Sequence, residues 1–361
     1  MGDKKKLFRI SVLVLCCIGI HLYSVSPGRV ETGYAAHIFP AIGRSLRAVF
    51  GWLPFSIGDL LYAAAFIFLL IRIYKMLRFL LRKNKEGARE QVRNAALSTL
   101  AVCCIIYIAF NLLWGINYNR RGIAGQLELK IEKYSGADLQ NINGILVEKI
   151  NSSKDALLRA NKPYPSDAEL FKMTSDAYAV IEKKYPFLQY RPVSLKSSLW
   201  GWVGNYTGFL GYYNPFTGEA QVNTTVPKFT QPFTACHETA HQLGYAKEME
   251  ANFVGYLAAA ASADTLFHYS VYTDLFLYAN RSLFFTDSAA SRQYRQMLSP
   301  EVLKDFEERK KFNLAHTSFI EPFIRALYGK FLEANRQPMG MLSYDEVTGF
   351  IIAYYKKFGK I

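Results

Sequence analysis

The chain has 361 residues, of which 51% are hydrophobic, 15% aromatic and 20% charged, and its formal net charge is +14. This composition is more apolar and less charged than that of a typical soluble enzyme, and the length allows one domain together with a membrane anchor. Residues 1–116 hold 15 Lys and Arg against 5 Asp and Glu, whereas the rest of the chain holds 28 against 24. Because most of the excess charge flanks apolar segments, we expect a lipid bilayer and not a nucleic acid as partner.

Three apolar segments lie within the first 116 residues, and each is close to the about 20 residues that a helix needs to cross a bilayer. They cover about residues 10–27, 57–74 and 95–115. The first segment lacks a small-x-small cleavage site, so we predict an uncleaved anchor and not a signal peptide. We therefore predict a membrane anchor at residues 1–116 and a catalytic domain at residues 117–361, which is long enough for its own core.

The charges of the connecting loops predict the orientation of these segments. Basic residues are concentrated at the amino terminus and between the second and third segments, and only three arginines lie between the first and second. Since cytoplasmic loops collect Lys and Arg, the domain after the third segment is predicted outside the inner membrane. Arg120 and Arg121, directly after that segment, are the opposing observation. The basic residues predicted to be cytoplasmic are Lys4, Lys5, Lys6, Arg9, Lys75, Arg78, Arg82, Lys83, Lys85, Arg89 and Arg93.

Beyond the third segment, the spacing of apolar residues is mostly helical. It predicts helices at residues 137–160 and 166–184, with Ser135 at the start of the first. Residues 191–226 are instead rich in β-branched and aromatic residues, which predicts short strands, and helical spacing returns from about residue 230. The predicted fold class is α+β, with three transmembrane helices followed by a mostly helical domain and a small β-sheet. The glycines expected at turns between strands are Gly204, Gly208 and Gly218.

The segment FTACHETAHQLGYAKEMEAN (233–252) contains an H-E-x-x-H motif formed by His237, Glu238 and His241. Residues four apart lie on one face of a helix, so both imidazoles can reach one metal ion. The Glu238 carboxylate can hold the water that completes the coordination shell. Three protein ligands and one water are the arrangement of a catalytic zinc site. The motif therefore predicts Zn²⁺ bound by His237 and His241, with Glu238 as the catalytic residue.

A third ligand requires a reversal of the chain. On an unbroken helix, residue 248 lies about 10 Å beyond His241 along the axis, out of coordinating reach. Gly244 is a natural helix terminator, so a second helix can begin near Ala246 and return past the metal. That helix offers both Glu248 and Glu250 as ligands, and the spacing alone leaves the choice open.

The sequence E-x-x-A-N at residues 248–252 resembles the second-helix motif of glutamate-type zincins, which include membrane-bound prenyl-protein-protease-like enzymes. The resemblance implies a zincin-like fold, with Glu248 as the metal ligand and Glu250 as the alternative. It also implies that Asn252 braces one of the ligand histidines, since a spacing of four residues keeps Glu248 and Asn252 on one helix face.

Most of the chain resembles a bacterial membrane-protein family catalogued as domain of unknown function 3810. Members are usually seen in Bacteroidetes-type bacteria, and some are labelled "amino acid permease". The resemblance implies a bacterial inner membrane, and with the predicted orientation the domain faces the periplasm. The matching stretches are PFSIGDLLY (54–62), NLLWGINYNR (111–120), FTACHETAHQLGYAKEMEANFVGYLA (233–258) and SYDEVTGFIIAYY (343–355).

These observations favour a membrane-anchored zinc metallopeptidase that hydrolyses peptides or envelope proteins. Tyr328, Tyr344 and His316 are candidates for stabilising the developing oxyanion. The segment GEAQVNTT (218–225) is a candidate edge strand for binding an extended peptide. One alternative is a transporter or permease, for which we expect ten or more spans. The other is a metal-binding scaffold without turnover, which does not require Glu238.

Overall fold

Three long apolar helices begin the chain and lead into a mostly helical domain with one small sheet. The structure is a computed structural model that describes residues 2–81 and 87–361. Its amino-terminal part comprises α1 (Gly2–Ser24), α2 (Pro27–Arg29), a π-helical stretch (Val30–Ile38), α3 (Phe39–Phe50), α4 (Ile57–Leu80) and α5 (Ala88–Leu113).

Helices α1, α4 and α5 each contain a stretch that is long and apolar enough to cross a membrane. This finding confirms the three predicted segments and indicates membrane association. Helices α1 and α5 begin earlier than predicted and α4 ends later, because the flanking Lys and Arg are good helix formers. Arg82, Lys83 and Lys85, on which the predicted orientation partly depends, lie outside the described residues. The apolar stretches are Lys4–Ser24, Ile57–Phe79 and Ala88–Leu113.

The remaining helices form the body of the domain. In chain order they are α6 (Gly122–Gln126), α7 (Gly136–Ala160), α8 (Asp167–Glu182), α9 (Gly201–Thr207), α10 (Gln231–Gln242), α11 (Glu248–Ala261), α12 (Thr265–Thr286), α13 (Ser288–Gln296), α14 (Pro300–Ala315), α15 (Glu321–Ala334) and α16 (Val347–Phe358). Helices α7 and α8 confirm two predictions, and each begins with a capping box, Ser135 with Asp138 and Ser166 with Glu169. The main core forms where α7 packs on α12 and α10 packs on α11.

The sheet has three short strands, β1 (Leu195–Ser197), β2 (Gly211–Asn214) and β3 (Glu219–Val222). The strand order is β1-β3-β2, in which β3 is parallel to β1 and antiparallel to β2. The predicted edge strand at residues 218–225 is therefore wrong, since β3 pairs on both sides. The two edge strands are β1 and β2.

The region predicted as strands is also interrupted by a helix. Helix α9 occupies residues whose aromatic side chains suggested strand, and Gly204 lies inside it instead of at a turn. Gly208 ends α9 with φ +80°, and Gly218 joins β2 to β3 with φ +69°. Both glycines take the left-handed backbone conformation that side chains disfavour, so these two predicted turns are confirmed.

Helix α4 is attached to the sheet at its first turn. The Glu219 carboxylate on β3 accepts the backbone N–H groups of Ile57 (3.2 Å) and Gly58 (2.6 Å). It also pairs with Lys196 of β1 at 2.7 Å, and both charged side chains are buried. A carboxylate is stabilised by the free N–H groups and the dipole at a helix N-terminus. The sheet is therefore fixed to the end of a candidate membrane span.

The segment between the first two candidate spans packs onto the domain. The buried Arg47 guanidinium donates to the carbonyl oxygens of Gln242 and Pro192, both at 2.9 Å. A small aromatic core joins the same segment to residues of the domain, so extensive contacts cross the predicted boundary at residue 116. The buried members of this core are Val30, Tyr34, Phe39, Trp114, Ile116, Tyr118, Tyr213 and Ala246.

Candidate metal centre

Helix α10 carries both histidines of the H-E-x-x-H motif through the middle of the domain. All of its residues from Gln231 to Gln242 are buried. The helix is enclosed by β2 and β3 on one side and by α8, α11 and α12 on the others. This burial excludes a surface helix with two incidental histidines.

The chain reverses after α10, as the glycine predicts. The helix ends at Gln242, and Gly244 adopts φ +87° while its N–H donates to the carbonyl of His241 (2.9 Å). Helix α11 then begins at Glu248 and packs closely along α10. Gly255 permits this packing, because a Cβ at that position would lie only 3.0 Å from the backbone nitrogen of His237.

The reversal brings three possible ligand side chains together. The Nε2 atoms of His237 and His241 are 3.1 Å apart. Glu248 Oε2 lies 3.3 Å from the first nitrogen and 3.5 Å from the second. All three residues are buried, and among the described residues they form the group of His, Cys, Asp or Glu that could hold a metal ion.

The remaining ring nitrogens of the two histidines face acceptors. His241 Nδ1 lies 2.7 Å from the carbonyl oxygen of Tyr245, which only accepts, so this nitrogen carries the proton. His237 Nδ1 lies 2.8 Å from Asn252 Oδ1, whose amide nitrogen donates to the carbonyl of Tyr344 (3.4 Å). Both Nε2 atoms therefore present lone pairs to one point. Two lone pairs and a carboxylate converge there, which requires a positive charge between them.

The titration behaviour of the group agrees with that requirement. Burial alone raises the pKa of Glu248, but the imidazoles of His241 and His237 outweigh burial and hold this pKa below its ordinary value. Burial alone lowers the pKa of His241, but Glu248 and Glu238 outweigh it and raise this pKa above its ordinary value. The surroundings thus favour a cation, either a proton or a metal ion, between the three side chains.

Glu238 follows the first histidine and faces the same cavity. Its Oε1 atom lies so close to Gly211 on β2 that a Cβ there would be 2.6 Å away. Its Oε2 atom is buried and has no hydrogen-bond partner among the residues that the structure describes. Burial raises the pKa of this carboxyl to about 7. A carboxylate with a free oxygen and a pKa near neutrality is suited to accept a proton and return it.

The two glutamates that the spacing leaves open occupy different surroundings. Glu248 lies with the histidines, and its Oε1 accepts the hydroxyl of Tyr328 at 2.8 Å. Glu250 points away from them, beside Gly122, with Lys247 Nζ 3.8 Å from its Oε1. Burial raises the pKa of Glu250. Only Glu248 therefore reaches the two histidines, and Asn252 contacts His237 as the zincin resemblance implies.

The three oxyanion candidates are divided by the structure. Tyr328 and Tyr344 line the cavity beside the histidines, and the Tyr344 ring stacks on His237 with a centroid distance of 6.3 Å. Burial and the Glu248 charge raise the pKa of both tyrosines, so both hydroxyls stay protonated as donors. His316 lies elsewhere and packs against Tyr206 at 5.0 Å.

Two aromatic residues of the site were not singled out by sequence analysis. The Trp114 indole N–H donates to the backbone carbonyl of His241 (3.1 Å), and Tyr118 lines the same cavity. Both follow α5 directly, in the stretch NLLWGINYNR. The sequence signal for these two residues was a tryptophan and a tyrosine just after a predicted span. Tryptophan and tyrosine are common at any membrane–water interface, so this signal did not distinguish them as site residues.

The candidate metal centre, formed by His237, His241 and Glu248, lies in a cleft with two halves. The larger half has a volume of about 550 Å³ and is mostly aromatic. The smaller half, of about 300 Å³, is lined by ion pairs, among them Arg309 with Asp274 (2.6 Å). Gly211, His237 and Glu238 line both halves. The candidate metal centre therefore lies at the junction of an apolar half and a charged half.

Fold and site together define a membrane-associated helical protein with a buried candidate metal centre. The model of the family described as "Protein of unknown function (DUF3810)" matches residues 34–352, and the chain belongs to this family. The match confirms the resemblance to domain of unknown function 3810, and the matched residues include α10, α11, Tyr328 and Tyr344. Searches of curated proteins and of solved structures found no match.

Proposed function

We propose that the protein is a membrane-anchored zinc metallopeptidase with His237, His241 and Glu248 as its metal ligands. The observation that carries the proposal is the convergence of these three side chains beside Glu238 in one cleft. Two ligand atoms bound to one tetrahedral zinc ion at 2.0–2.1 Å are about 3.3 Å apart. The three separations of 3.1, 3.3 and 3.5 Å fit that geometry.

When bound, zinc supplies a Lewis acid that lowers the pKa of water and polarises the carbonyl of the substrate. Glu238 accepts a proton from the attacking water as the new carbon–oxygen bond forms. It then passes this proton to the leaving nitrogen as the carbon–nitrogen bond breaks. Tyr328 holds Glu248 in place through its hydrogen bond (2.8 Å), and the Tyr344 hydroxyl is the proposed donor to the developing oxyanion.

The edge strand β2, which lines the cavity, supports a peptide as substrate. The backbone carbonyl of Leu210 accepts the N–H of Asn223 at 2.8 Å, so these two residues form a hydrogen-bonded pair. Hydrogen-bonded and non-hydrogen-bonded pairs alternate along antiparallel strands. The backbone N–H and C=O groups of Gly211 and Tyr213 therefore point away from β3. Both residues line the cavity. An extended peptide that pairs with β2 would carry one of its bonds past Glu238, which lies beside Gly211.

We propose the bacterial inner membrane as the location, with the domain on the periplasmic side. The start of α4 and the end of α5 both meet the domain, as the predicted odd number of crossings requires. Arg120, which opposes this orientation in the sequence, pairs with Glu31 at 2.8 Å. Its charge is therefore largely neutralised within the protein, and it adds little to the positive charge of the periplasmic side.

The two alternatives gain less support. Three candidate spans are found in residues 2–81 and 87–361, far fewer than the ten expected of a transporter. A metal-binding scaffold has no need for a buried carboxylate with a free oxygen beside the ligands, which is the position of Glu238.

Metal analysis and peptide cleavage together test the proposal. The purified full chain and its Glu238→Gln variant should each hold one zinc ion, and only the wild type should cleave a random peptide library. His268→Ala changes a histidine outside the site and should keep both properties. Stoichiometric zinc without cleavage by the wild type would favour the scaffold, and absence of zinc from the wild type would refute the proposed centre.

A further inference from the structure

The apolar half of the cleft is bounded by two candidate membrane helices. Tyr62 of α4 and Phe110 of α5 both line it, within two turns of the helix ends that meet the domain. In the described part of the chain, α1 packs along α5, whereas α4 does not pack along α5 and residues 60–79 of α4 include none that is buried. The two helices therefore flank the cavity without packing along each other.

Helix α15 continues this apolar boundary. Ile320, which directly precedes the helix, and Phe323, Leu327 and Phe331 are spaced three and four residues apart, so they share one side. Phe323 is 70% exposed and Leu327 is 63% exposed. The Phe331 ring contacts Phe110 of α5, with their centroids 6.4 Å apart. The exposed apolar face of α15 is therefore continuous with a membrane span.

Two exposed tryptophans lie near the start of α4. Of the four in the chain, Trp52, Trp200 and Trp202 are exposed. Trp52 precedes α4, and the Trp200 indole N–H donates to the backbone carbonyl of Asp59 (3.3 Å) in the first turn of α4. Tryptophan is enriched at membrane–water interfaces, where its ring is apolar and its N–H finds a partner.

We propose that the apolar face of α15 (Ile320, Phe323, Leu327 and Phe331) lies in the boundary of the bilayer and that the apolar half of the cleft receives a membrane-resident apolar segment of a polypeptide substrate. The rest of the substrate would extend along β2 into the half of the cleft that holds the Arg309–Asp274 pair. The substrate part rests on the proposed function, whereas the position of α15 does not.

The position of α15 is tested without any activity measurement. The full chain is reconstituted in phospholipid nanodiscs with the photo-crosslinking residue p-benzoylphenylalanine at one position at a time. Substitution at Phe323 or Leu327 should give phospholipid adducts by mass spectrometry, as should Ile106, which is exposed on α5. Arg325, exposed on the opposite side of α15 and facing the charged half of the cleft, should give none. Adducts at Ile106 but not at Phe323 and Leu327 would overturn this part of the proposal.

The substrate class is tested with two random peptide libraries that differ only in an added apolar segment that anchors the peptide in the nanodisc. We expect the anchored library to be cleaved with a kcat/KM about tenfold higher or more, because burial of one large apolar side chain is sufficient for that ratio. Equal cleavage of both libraries would overturn the substrate assignment. No cleavage of either by the zinc-loaded protein would instead refute the peptidase itself, and the lipid adducts would still decide the position of α15.

A double variant links the two parts. Phe323→Lys with Leu327→Lys should lower cleavage of the anchored library about tenfold and leave the unanchored library unchanged, since neither residue lines the cleft. Phe284→Lys with Phe285→Lys changes two exposed phenylalanines at the end of α12 and should affect neither library. Equal loss on both libraries in the α15 variant would contradict the proposed entry from the bilayer.

Discussion

Asn252 holds His237 by a hydrogen bond of 2.8 Å across the interface of α10 and α11. The amide oxygen accepts from Nδ1 and so turns Nε2, with its lone pair, toward Glu248. Because the two residues are on different helices, this contact also couples the packing of α11 on α10 to the geometry of the candidate metal centre. Partners of this kind fix the tautomer and orientation of a ligand histidine.

The Asn252→Ala variant should bind zinc about 10–100-fold more weakly, because His237 loses the acceptor that orients it. Asn252→Asp keeps an acceptor at the same place and should retain an affinity close to that of the wild type. Competition with a zinc chelator measures both affinities. Equal weakening in the two variants would show that the side chain acts through packing and not through its acceptor oxygen.

The Glu248→Gln variant should bind zinc more than about 100-fold more weakly, because it removes the charge of a proposed ligand. Loss of a residue that only hydrogen-bonds to a ligand costs about 10–100-fold. Glu250→Gln should keep its zinc, because Glu250 is buried beside Gly122 and away from the histidines. Metal content after dialysis distinguishes the two variants. The reverse pattern would make Glu250 the third ligand and would contradict the arrangement in the structure.

Gly255→Ala should destabilise the protein even though alanine is the better helix former. The added Cβ would lie 3.0 Å from the nitrogen and 3.2 Å from the Cα of His237, and backbone atoms give way poorly. Overpacking of this kind costs about 1–3 kcal/mol, more than the about 1 kcal/mol gained in helix propensity.

Gly144→Ala in α7 is the matched control for this glycine, because its nearest neighbour would be 3.6 Å away. The control should raise the thermal unfolding midpoint in detergent, whereas Gly255→Ala should lower it and weaken zinc binding. A rise in both variants would show that α10 and α11 have room to separate.

Much of the fold follows from local pattern. Apolar spacing and capping residues predicted α7 and α8, and the apolar segments predicted the three candidate spans. The strand region was less predictable, because aromatic residues such as those of α9 suit a strand and a half-exposed helix equally. The pairing of β3 on both sides depends on β1, which is far away in sequence, so no local pattern placed β3 in the centre of the sheet and β2 at an edge.

The sequence by itself determined the H-E-x-x-H pair, the reversal at Gly244 and the two glutamates within reach of that turn, because helical spacing and a positive φ are local properties. Tertiary structure placed Glu248 and not Glu250 beside the two histidines, since the direction of each side chain depends on how α11 packs against α10. It also brought Trp114, Gly211 and Tyr328 around the candidate metal centre from three distant parts of the chain. Contacts between residues so far apart in sequence are set by the packing of the whole core, and no spacing within one segment encodes them.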